Sequence, residues 1–231
     1  LQIAGNLRET GRLKAAGTVL AELTARHPDY YWGHFELGRL ARGEGEHEAA
    51  RAHLRQAIRI DPDNAAAPLE LVASLEDTKD FAEAIGAAST YLEKHPDNLP
   101  AWMCLGRIHR RAGEHEAALE AFRQAARHNP SSLAPLVEIA EEEAGLGQRQ
   151  AAETTLQGVL DREPHQLDAL LKLAAFNRRG REHAAALALL EEAIAAHPAS
   201  PWPRLEASTV LSEMGRHAEA LDMLGACEEA C

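Results

Sequence analysis

The sequence predicts an all-α fold that is built from repeated antiparallel helix pairs, and three observations support this prediction. Prolines recur with a constant period of 34 residues. An alanine recurs with the same period, and in most copies a large apolar residue follows it by four positions. Hydrophobic residues make up 45% of the chain but aromatic residues only 4%, which suits helices packed through small side chains. The periodic prolines are Pro28, Pro62, Pro96, Pro130, Pro164 and Pro198. Because a constant period of this length is the signature of a repeat architecture, the chain is expected to be a tandem array.

The repeat is clearest in residues 99–132. Its first half carries apolar and small residues at helical spacing, Leu105 among them, and Gly113 supplies a turn at the end of that helix. Its second half again places apolar residues such as Phe122 on one helical stripe, and Pro130 stops it. The unit is therefore predicted to be two antiparallel helices joined by a short turn.

Small and large side chains have separate roles in this unit. Two helices approach closely only where side chains are small, and we assign this role to Gly106 and Ala118. A leucine at either position should overpack the helix pair and cost roughly 1–3 kcal/mol. We expect Trp102 and Phe122 to be core residues that fill the space toward neighbouring repeats.

A glycine marks the middle of most copies, and the exceptions are informative. The glycines in phase are Gly11, Gly45, Gly113, Gly147 and Gly215. Gly180 arrives one residue early in the sixth copy, and Lys79 replaces the glycine in the third. The third copy also departs at Ala88, where the other copies carry a large apolar residue.

This pattern resembles the tetratricopeptide repeat. The residues that match the family pattern are Trp102, Leu105, Gly106, Ala118, Phe122 and Pro130, while His109 stands where the family usually has tyrosine. The resemblance covers the whole chain and implies a right-handed superhelical solenoid of antiparallel helix pairs, with the first helix of each pair lining a concave groove. The repeats are assigned to residues 1–30, 31–64, 65–98, 99–132, 133–166, 167–200 and 201–231. We expect the chain to be part of a larger bacterial protein.

Composition argues against several classes of partner. The formal net charge is −12, so the chain has no general attraction for nucleic acid or for anionic membranes. No apolar run is long enough to insert into a membrane. The three cysteines, Cys104, Cys227 and Cys231, form no disulfide framework, which favours a cytoplasmic location.

No motif for catalysis, a metal or a cofactor stands out. Four histidines share one phase, but equivalent residues in neighbouring repeats lie about 10 Å apart, too far to share a zinc ion. These histidines are His47, His115, His183 and His217. Cys227 and Cys231 lie on one helical face, but two ligands are too few for a closed site. We therefore expect no catalytic residues and no cofactor in this region.

An apolar series follows the first helices. The fifth residue of every repeat is apolar: Leu1, Phe35, Leu69, Met103, Val137, Leu171 and Leu205. One interpretation is packing between neighbouring first helices, and the other is an apolar strip along the groove. Trp32 and Trp202 also occupy positions within the repeat that line the groove, whereas Trp102 does not. Either tryptophan could anchor a partner or pack between repeats.

Charge alternates beside this strip from one repeat to the next. Successive repeats offer Arg39 and Arg42, then Glu70, Glu76 and Asp77, then Arg107, Arg110 and Arg111, then Glu138, Glu141 and Glu142, then Lys172, Arg178 and Arg179, then Glu206 and Glu213. One interpretation is lateral ion pairing across a solvated face, each pair contributing about 0–1 kcal/mol. The other is a groove patterned for a partner of mixed charge, and the two are compatible.

Three functions remain open from the sequence. The first is a scaffold that binds a protein or peptide in the groove. The second is a non-catalytic region of a larger enzyme of glycosyltransferase or sulfotransferase type. The third is a scaffold that forms homo-oligomers through its end repeats. The candidate partner-binding residues are Trp32, Phe35, Arg39, Arg42, Leu69, Glu70, Met103, Arg107, Arg110, Val137, Glu138, Glu141, Leu171, Lys172 and Arg178.

Overall fold

A computed structural model describes residues 12–228, with the side chains of residues 12–225, and this part of the chain contains helices and no strand. The first helices of the pairs are α2 (Tyr31–Gly43), α4 (Ala66–Asp77), α6 (Leu99–Ala112), α8 (Ala134–Gly145), α10 (Leu167–Arg179) and α12 (Trp202–Glu213). The second helices are α1 (Leu13–Arg26), α3 (His47–Ile60), α5 (Phe81–Lys94), α7 (His115–His128), α9 (Arg149–Arg162), α11 (His183–Ala196) and α13 (His217–Glu228). The predicted all-α array of helix pairs is confirmed.

The second helices keep the 34-residue period of the sequence without deviation, from α1 at Leu13 to α13 at His217. Each first helix packs against the second helix of its own pair, and within each unit it also packs against the second helix that precedes it. The described chain forms two compact units, one ending at Asn129 and the other beginning at Pro130.

The turn between the helices of a pair requires a left-handed residue. Gly45, Gly113, Gly147 and Gly215 adopt φ values of 80°, 80°, 77° and 76°. Lys79 and Arg181 occupy the equivalent positions with φ of 63°, although a left-handed conformation is unfavourable for residues with a β carbon. The early glycine, Gly180, therefore does not move the turn. It follows the last residue of α10 in a right-handed conformation with φ of −76°, and the guanidinium group of Arg149 packs directly against it.

Close approach within a pair depends on glycine, as predicted. A β carbon on Gly38 would lie 2.6 Å from Cγ of Leu54, and one on Gly106 would collide with the Phe122 ring. Phe122 and Leu54 are fully buried. Trp102 packs against the core, as predicted, but at its edge. It is half-buried, stacks on His128, and its indole Nε1 donates a hydrogen bond of 2.7 Å to a backbone carbonyl.

Polar contacts join successive pairs. The Tyr31 hydroxyl accepts a hydrogen bond of 3.0 Å from the backbone N–H of Ala67, at the start of α4. Burial raises the pKa of Tyr31, so this hydroxyl stays protonated and neutral. The buried Arg51 of α3 reaches Thr78 and Asp80 in the next pair, with 2.5 Å to the Asp80 carboxylate. These contacts fix the spacing between neighbouring pairs.

Candidate partner-binding face

The first helices of each unit form one surface, which we call the first-helix face. In the unit ending at Asn129, α2 contacts α4 and α4 contacts α6. In the unit beginning at Pro130, α8 contacts α10 and α10 contacts α12. Consecutive second helices make no comparable contact within the described chain. The side chains of the first helices are therefore brought closer together than those of the second helices.

An aromatic cluster begins this face in α2. Trp32 is 42% exposed and packs edge-on against Tyr31 and Phe35, with ring centroids 5.0 Å and 5.5 Å away. Phe35 is only 8% exposed, so its ring supports Trp32 rather than lining an open surface. The guanidinium group of Arg39 lies over the Phe35 ring, 5.7 Å from its centroid. Trp32 is consequently a rigid, partly exposed aromatic group beside a cation.

Arg42 joins α2 to α4 through two carboxylates. Its Nε lies 2.6 Å from Asp77 and its Nη1 lies 2.9 Å from Glu70. The hydrogen bond from Arg42 is the main cause of a lowered pKa for Asp77, and the bond to Asp77 is the main cause of a raised pKa for Arg42. A cavity of about 450 Å³ opens beside this triad and is lined in part by Leu13 and Leu40.

Arg107 differs from the other arginines of the face. Arg111 pairs with Glu76 at 2.8 Å, and Arg110 lies over the Phe122 ring. Arg107 is exposed and makes no ion pair within the described part of the chain. Its side chain instead approaches the thiol of Cys104, whose pKa is raised by burial.

Two apolar side chains of the predicted strip lie on α4 and α6, and one of them, Met103, neighbours this arginine. Leu69 on α4 and Met103 on α6 are both half-buried, so each presents apolar surface to solvent. Met103 lies one helical turn before Arg107 on the same side of α6, because residues four apart on a helix are neighbours. The first unit thus places an exposed cation next to half-exposed apolar surface.

The second unit repeats the ion pairing, and its exposed cation without an ion pair in the described chain is Arg179, the last residue of α10. Lys172 pairs with Glu141 at 2.8 Å, and Arg178 pairs with Glu213 at 2.6 Å. Val137 is 5% exposed and therefore packs inside the unit. Leu171 and Glu138 are half-buried.

The lateral ion pairs predicted from the alternating charges are present. Arg42 with Asp77, Glu76 with Arg111, and Arg178 with Glu213 each join residues 35 positions apart on consecutive first helices.

The packing interpretation of the apolar strip holds for Phe35 and Val137, which are buried. Glu142, placed beside the strip from the sequence, is only 2% exposed. The predictions for Leu1, Gly11, Cys227 and Cys231 concern residues or side chains outside the described part of the chain.

Potential metal-ligating side chains are dispersed over the described residues. No three His, Cys, Asp or Glu side chains among them come together in a way that could hold a metal ion. His34 and His53 do approach, with their Nδ1 atoms 3.3 Å apart. None of the helices within the described range has both the length and the apolar character needed to cross a bilayer.

Comparisons with known proteins identify the repeats. Residues 73–200 match the family model described as cytochrome c-type biogenesis protein H TPR domain. Residues 1–65 and 180–228 match two further models of the tetratricopeptide repeat. No match was found among curated proteins.

Solved structures share the fold at low identity. A tetratricopeptide repeat protein from Parabacteroides merdae superposes with a TM-score of 0.71 at 16% identity, covering 99% of this chain and 91% of that one. Yeast Tom70 superposes with a TM-score of 0.72 at 14% sequence identity, and the match covers 94% of this chain and 48% of Tom70. YrrB is described as a TPR protein with an unusual peptide-binding site. It superposes with a TM-score of 0.55 at 18% sequence identity, and the match covers 78% of this chain and 92% of YrrB.

Proposed function

Because this chain belongs to the tetratricopeptide repeat family, we propose that it is a protein-interaction scaffold that binds a peptide or a partner surface along its first-helix face. The observation that carries the proposal is Arg107, an exposed cation without an ion pair in the described chain, one helical turn from the half-buried apolar side chain of Met103. A carboxylate and an apolar side chain of a partner would complete this site.

The other charges of the face make a different contribution. Arg42 already holds two carboxylates, and Lys172 and Arg178 each hold at least one. A partner gains affinity from these cations only by replacing the internal carboxylates, and exposed pairs contribute only about 0–1 kcal/mol each. We therefore assign them mainly to ordering the face before binding. A preordered surface lowers the conformational entropy lost on association.

Trp32 supplies the second anchor. Tryptophan is enriched among the residues that dominate protein interfaces. Its ring is held by Tyr31 and Phe35, so little side-chain freedom remains to be lost when a partner binds. A partner that reaches from Trp32 to Arg107 would span α2, α4 and α6. The description of YrrB as peptide-binding is in keeping with this use of the fold.

The test is recovery of a partner from a lysate of the organism that encodes the chain. We expect Arg107→Glu to reduce the recovered partner by about tenfold or more, because it reverses the charge of a cation that is available to the partner. Arg127→Glu is the matched control, since Arg127 lies on the second helix of the same repeat and is 63% exposed. Equal recovery with all three proteins would refute the first-helix face as the binding surface. Arg110 is unsuitable for this test because it packs on Phe122.

A second candidate function follows from the family model that matches residues 73–200. Under this proposal the partner is a component of c-type cytochrome assembly. Deleting the gene should remove covalently bound haem from c-type cytochromes while leaving non-covalent haem proteins in place. Wild-type c-type cytochromes in the deletion strain would argue against this role without affecting the scaffold proposal.

The two other functions inferred from the sequence remain separate proposals. A glycosyltransferase or sulfotransferase domain encoded in the same gene would support the enzyme-associated region. Self-assembly is favoured by apolar exposure on the last described helix pair, where Leu221 is 68% and Leu205 is 37% exposed. Sedimentation of the wild type and of Leu221→Glu would test it, because concentration-dependent association should be weaker in the variant.

A further inference from the structure

A cavity of about 780 Å³ lies between the second helices α3 and α5, over the side of α4 that carries Leu71. We call it the apolar trough and define it by its lining residues Ile58, Leu71, Gly86, Ala87 and Tyr91. Residues two apart on a helix point about 200° away from each other, so Leu71 and Leu69 lie on opposite sides of α4. The trough is therefore separate from the first-helix face.

The trough is an apolar depression of a size that suits a ligand. Clefts that bind ligands typically measure about 300–1,000 Å³ and have mostly apolar walls. Its floor is formed by Ile58 and Leu71, and its wall on α5 by Gly86 and Ala87. A β carbon added to Gly86 would meet no atom within 4 Å, so the space immediately beside Gly86 is open.

Cations concentrate at one end of the trough. Arg59 lies in the last turn of α3 and Lys94 ends α5, and both line the cavity. Arg59 donates a hydrogen bond to the uncharged Gln56, and Lys94 makes no ion pair within the described chain. The other lining charges, Arg55 and Glu83, pair with each other across the trough.

The lining therefore has an excess of positive charge in a chain whose formal net charge is −12. The nearby carboxylates Asp61 and Asp63 do not line the cavity, and Asp63 lies 3.4 Å from His95. An occupant of complementary charge must combine apolar groups with carboxylates. An uncharged or basic ligand would leave Arg59 and Lys94 without a carboxylate partner.

We propose that the apolar trough is a second docking site, which takes an acidic peptide segment of a partner protein. The apolar side chains of the segment lie on Ile58 and Leu71, and its carboxylates pair with Arg59 and Lys94. The site goes beyond the proposed function, because it uses the second helices and none of the candidate residues of the first-helix face. One chain could then hold two segments of a partner at once, on opposite sides of α4.

Two variants separate this site from the rest of the molecule. Gly86→Phe places a ring in the trough, and it should not disturb α5 because the Gly86 position is exposed and helical. Thr154→Phe is the matched control, since Thr154 occupies the same position in the second helix of the fifth repeat and is also exposed. The double variant Arg59→Glu/Lys94→Glu reverses the cationic end. Circular dichroism spectra and urea midpoints of all variants establish that they fold.

The experiment selects peptides from a random linear library displayed on phage, using the full chain as bait, and measures the recovered peptides as synthetic fluorescent probes. We expect a class of peptides with leucine, phenylalanine or methionine flanked by aspartate or glutamate. Binding of this class should weaken by about tenfold or more on Gly86→Phe and on Arg59→Glu/Lys94→Glu. It should change by less than about twofold on Thr154→Phe and on Arg107→Glu.

Other outcomes overturn the proposal. If Gly86→Phe weakens no recovered peptide, the trough is not a peptide site. If the peptides sensitive to Gly86→Phe are basic or uncharged, the assignment of an acidic occupant is wrong. Peptides that respond to Arg107→Glu but not to Gly86→Phe would support the first-helix face and reject the trough, so the two proposals can fail independently.

Discussion

The ring of Phe122 packs directly against the backbone of Gly106, and a β carbon at Gly106 would lie 2.5 Å from Cζ of that ring. Phe122 is fully buried and cannot withdraw toward solvent. Both helices of the fourth repeat are therefore held at a separation that only glycine permits at this position. The same relationship joins Gly38 to Leu54 in the second repeat.

The first prediction concerns Gly106→Ala. The added methyl group should overpack the helix pair and lower the free energy of unfolding by roughly 1–3 kcal/mol, measured by urea denaturation. Gly158→Ala is the control, because Gly158 lies inside α9 and a β carbon there meets nothing within 4 Å. That variant should gain about 0.5–1 kcal/mol from helix propensity. A Gly106→Ala protein as stable as the wild type would contradict the close approach.

The third repeat inverts this arrangement of large and small residues. Val72 stands at the position of Gly38 and Gly106, and Ala88 stands at the position of Leu54 and Phe122. Val72 is fully buried and Ala88 is 2% exposed. The small residue on the second helix therefore compensates for the larger one on the first.

The second prediction tests this compensation with a double-mutant cycle. Val72→Ala should cost about 2 kcal/mol by leaving a cavity, and Ala88→Leu should cost roughly 1–3 kcal/mol by overpacking. The double variant should lose less stability than the two single losses added together, by about 1 kcal/mol or more, because the smaller residue at position 72 makes room for the larger one at position 88. Additive free energies of unfolding would show that the two positions do not share one space.

Much of the fold could be predicted from the sequence, because the repeat averages out local ambiguity. The position of the turn in the sixth repeat could not be predicted in this way. Gly180 is a local signal for a turn, yet the left-handed residue is Arg181, in phase with Gly147 and Gly215. The second helix of each pair keeps its register against the array, and this tertiary constraint outweighs the preference of one glycine.

The candidate site, too, could be predicted from the sequence only in part. Alternating charge was sufficient to predict lateral pairs such as Arg42 with Asp77. It could not identify Arg107 as a cation without an ion pair, because pairing depends on the reach of each side chain toward the next helix. The apolar trough combines surface from α3, α4 and α5, which no single repeat contains. Gly86 is a small residue outside the repeating positions, so the sequence pattern did not indicate that a trough lies beside it.

The third prediction concerns the two turns that lack glycine. Lys79→Gly and Arg181→Gly should each stabilise the protein by about 0.5–1 kcal/mol, because glycine adopts the left-handed conformation without the steric cost of a β carbon. The converse variant Gly113→Lys should destabilise it by about 1 kcal/mol, since φ is 80° there. Urea midpoints measure all three. If both glycine variants are less stable than the wild type, contacts of the Lys79 and Arg181 side chains outweigh the backbone effect.

The fourth prediction concerns pH and the pair formed by His34 and His53. Nε2 of His34 lies 3.0 Å from the carbonyl oxygen of Pro28, which only accepts, so this nitrogen carries a hydrogen. In the neutral pair Nδ1 of His34 then accepts from Nδ1 of His53. Burial, and then the nearby His34, lower the pKa of His53.

A base with a lowered pKa in the folded state binds its proton more weakly there than in the unfolded chain. The stability from neutral His53 is therefore fully present above its ordinary pKa of 6.5 and is lost as the pH falls below that value. We expect His53→Gln to reduce the loss of stability between about pH 7.5 and 5.5. An unchanged pH profile in the variant would show that His53 does not contribute. NMR titration of the His53 ring checks the pKa directly.

The fifth prediction concerns Arg42→Gln. The variant loses the pairs with Glu70 and Asp77, and it should be less stable than the wild type by roughly 1 kcal/mol near neutral pH, because partly exposed pairs contribute little individually. Arg127→Gln is the control, since it loses only a pair of 3.4 Å between highly exposed groups.

The pH dependence of this difference follows from Asp77. Its lowered pKa means that the Arg42 pair stabilises the protein above the ordinary pKa of 3.8 and loses this contribution as the pH falls through the folded value. The wild type and Arg42→Gln should therefore converge in stability under strongly acidic conditions. NMR titration should show a higher pKa for Asp77 in the variant. If that pKa is unchanged, a source other than Arg42 holds it low, and the triad does not order the first-helix face.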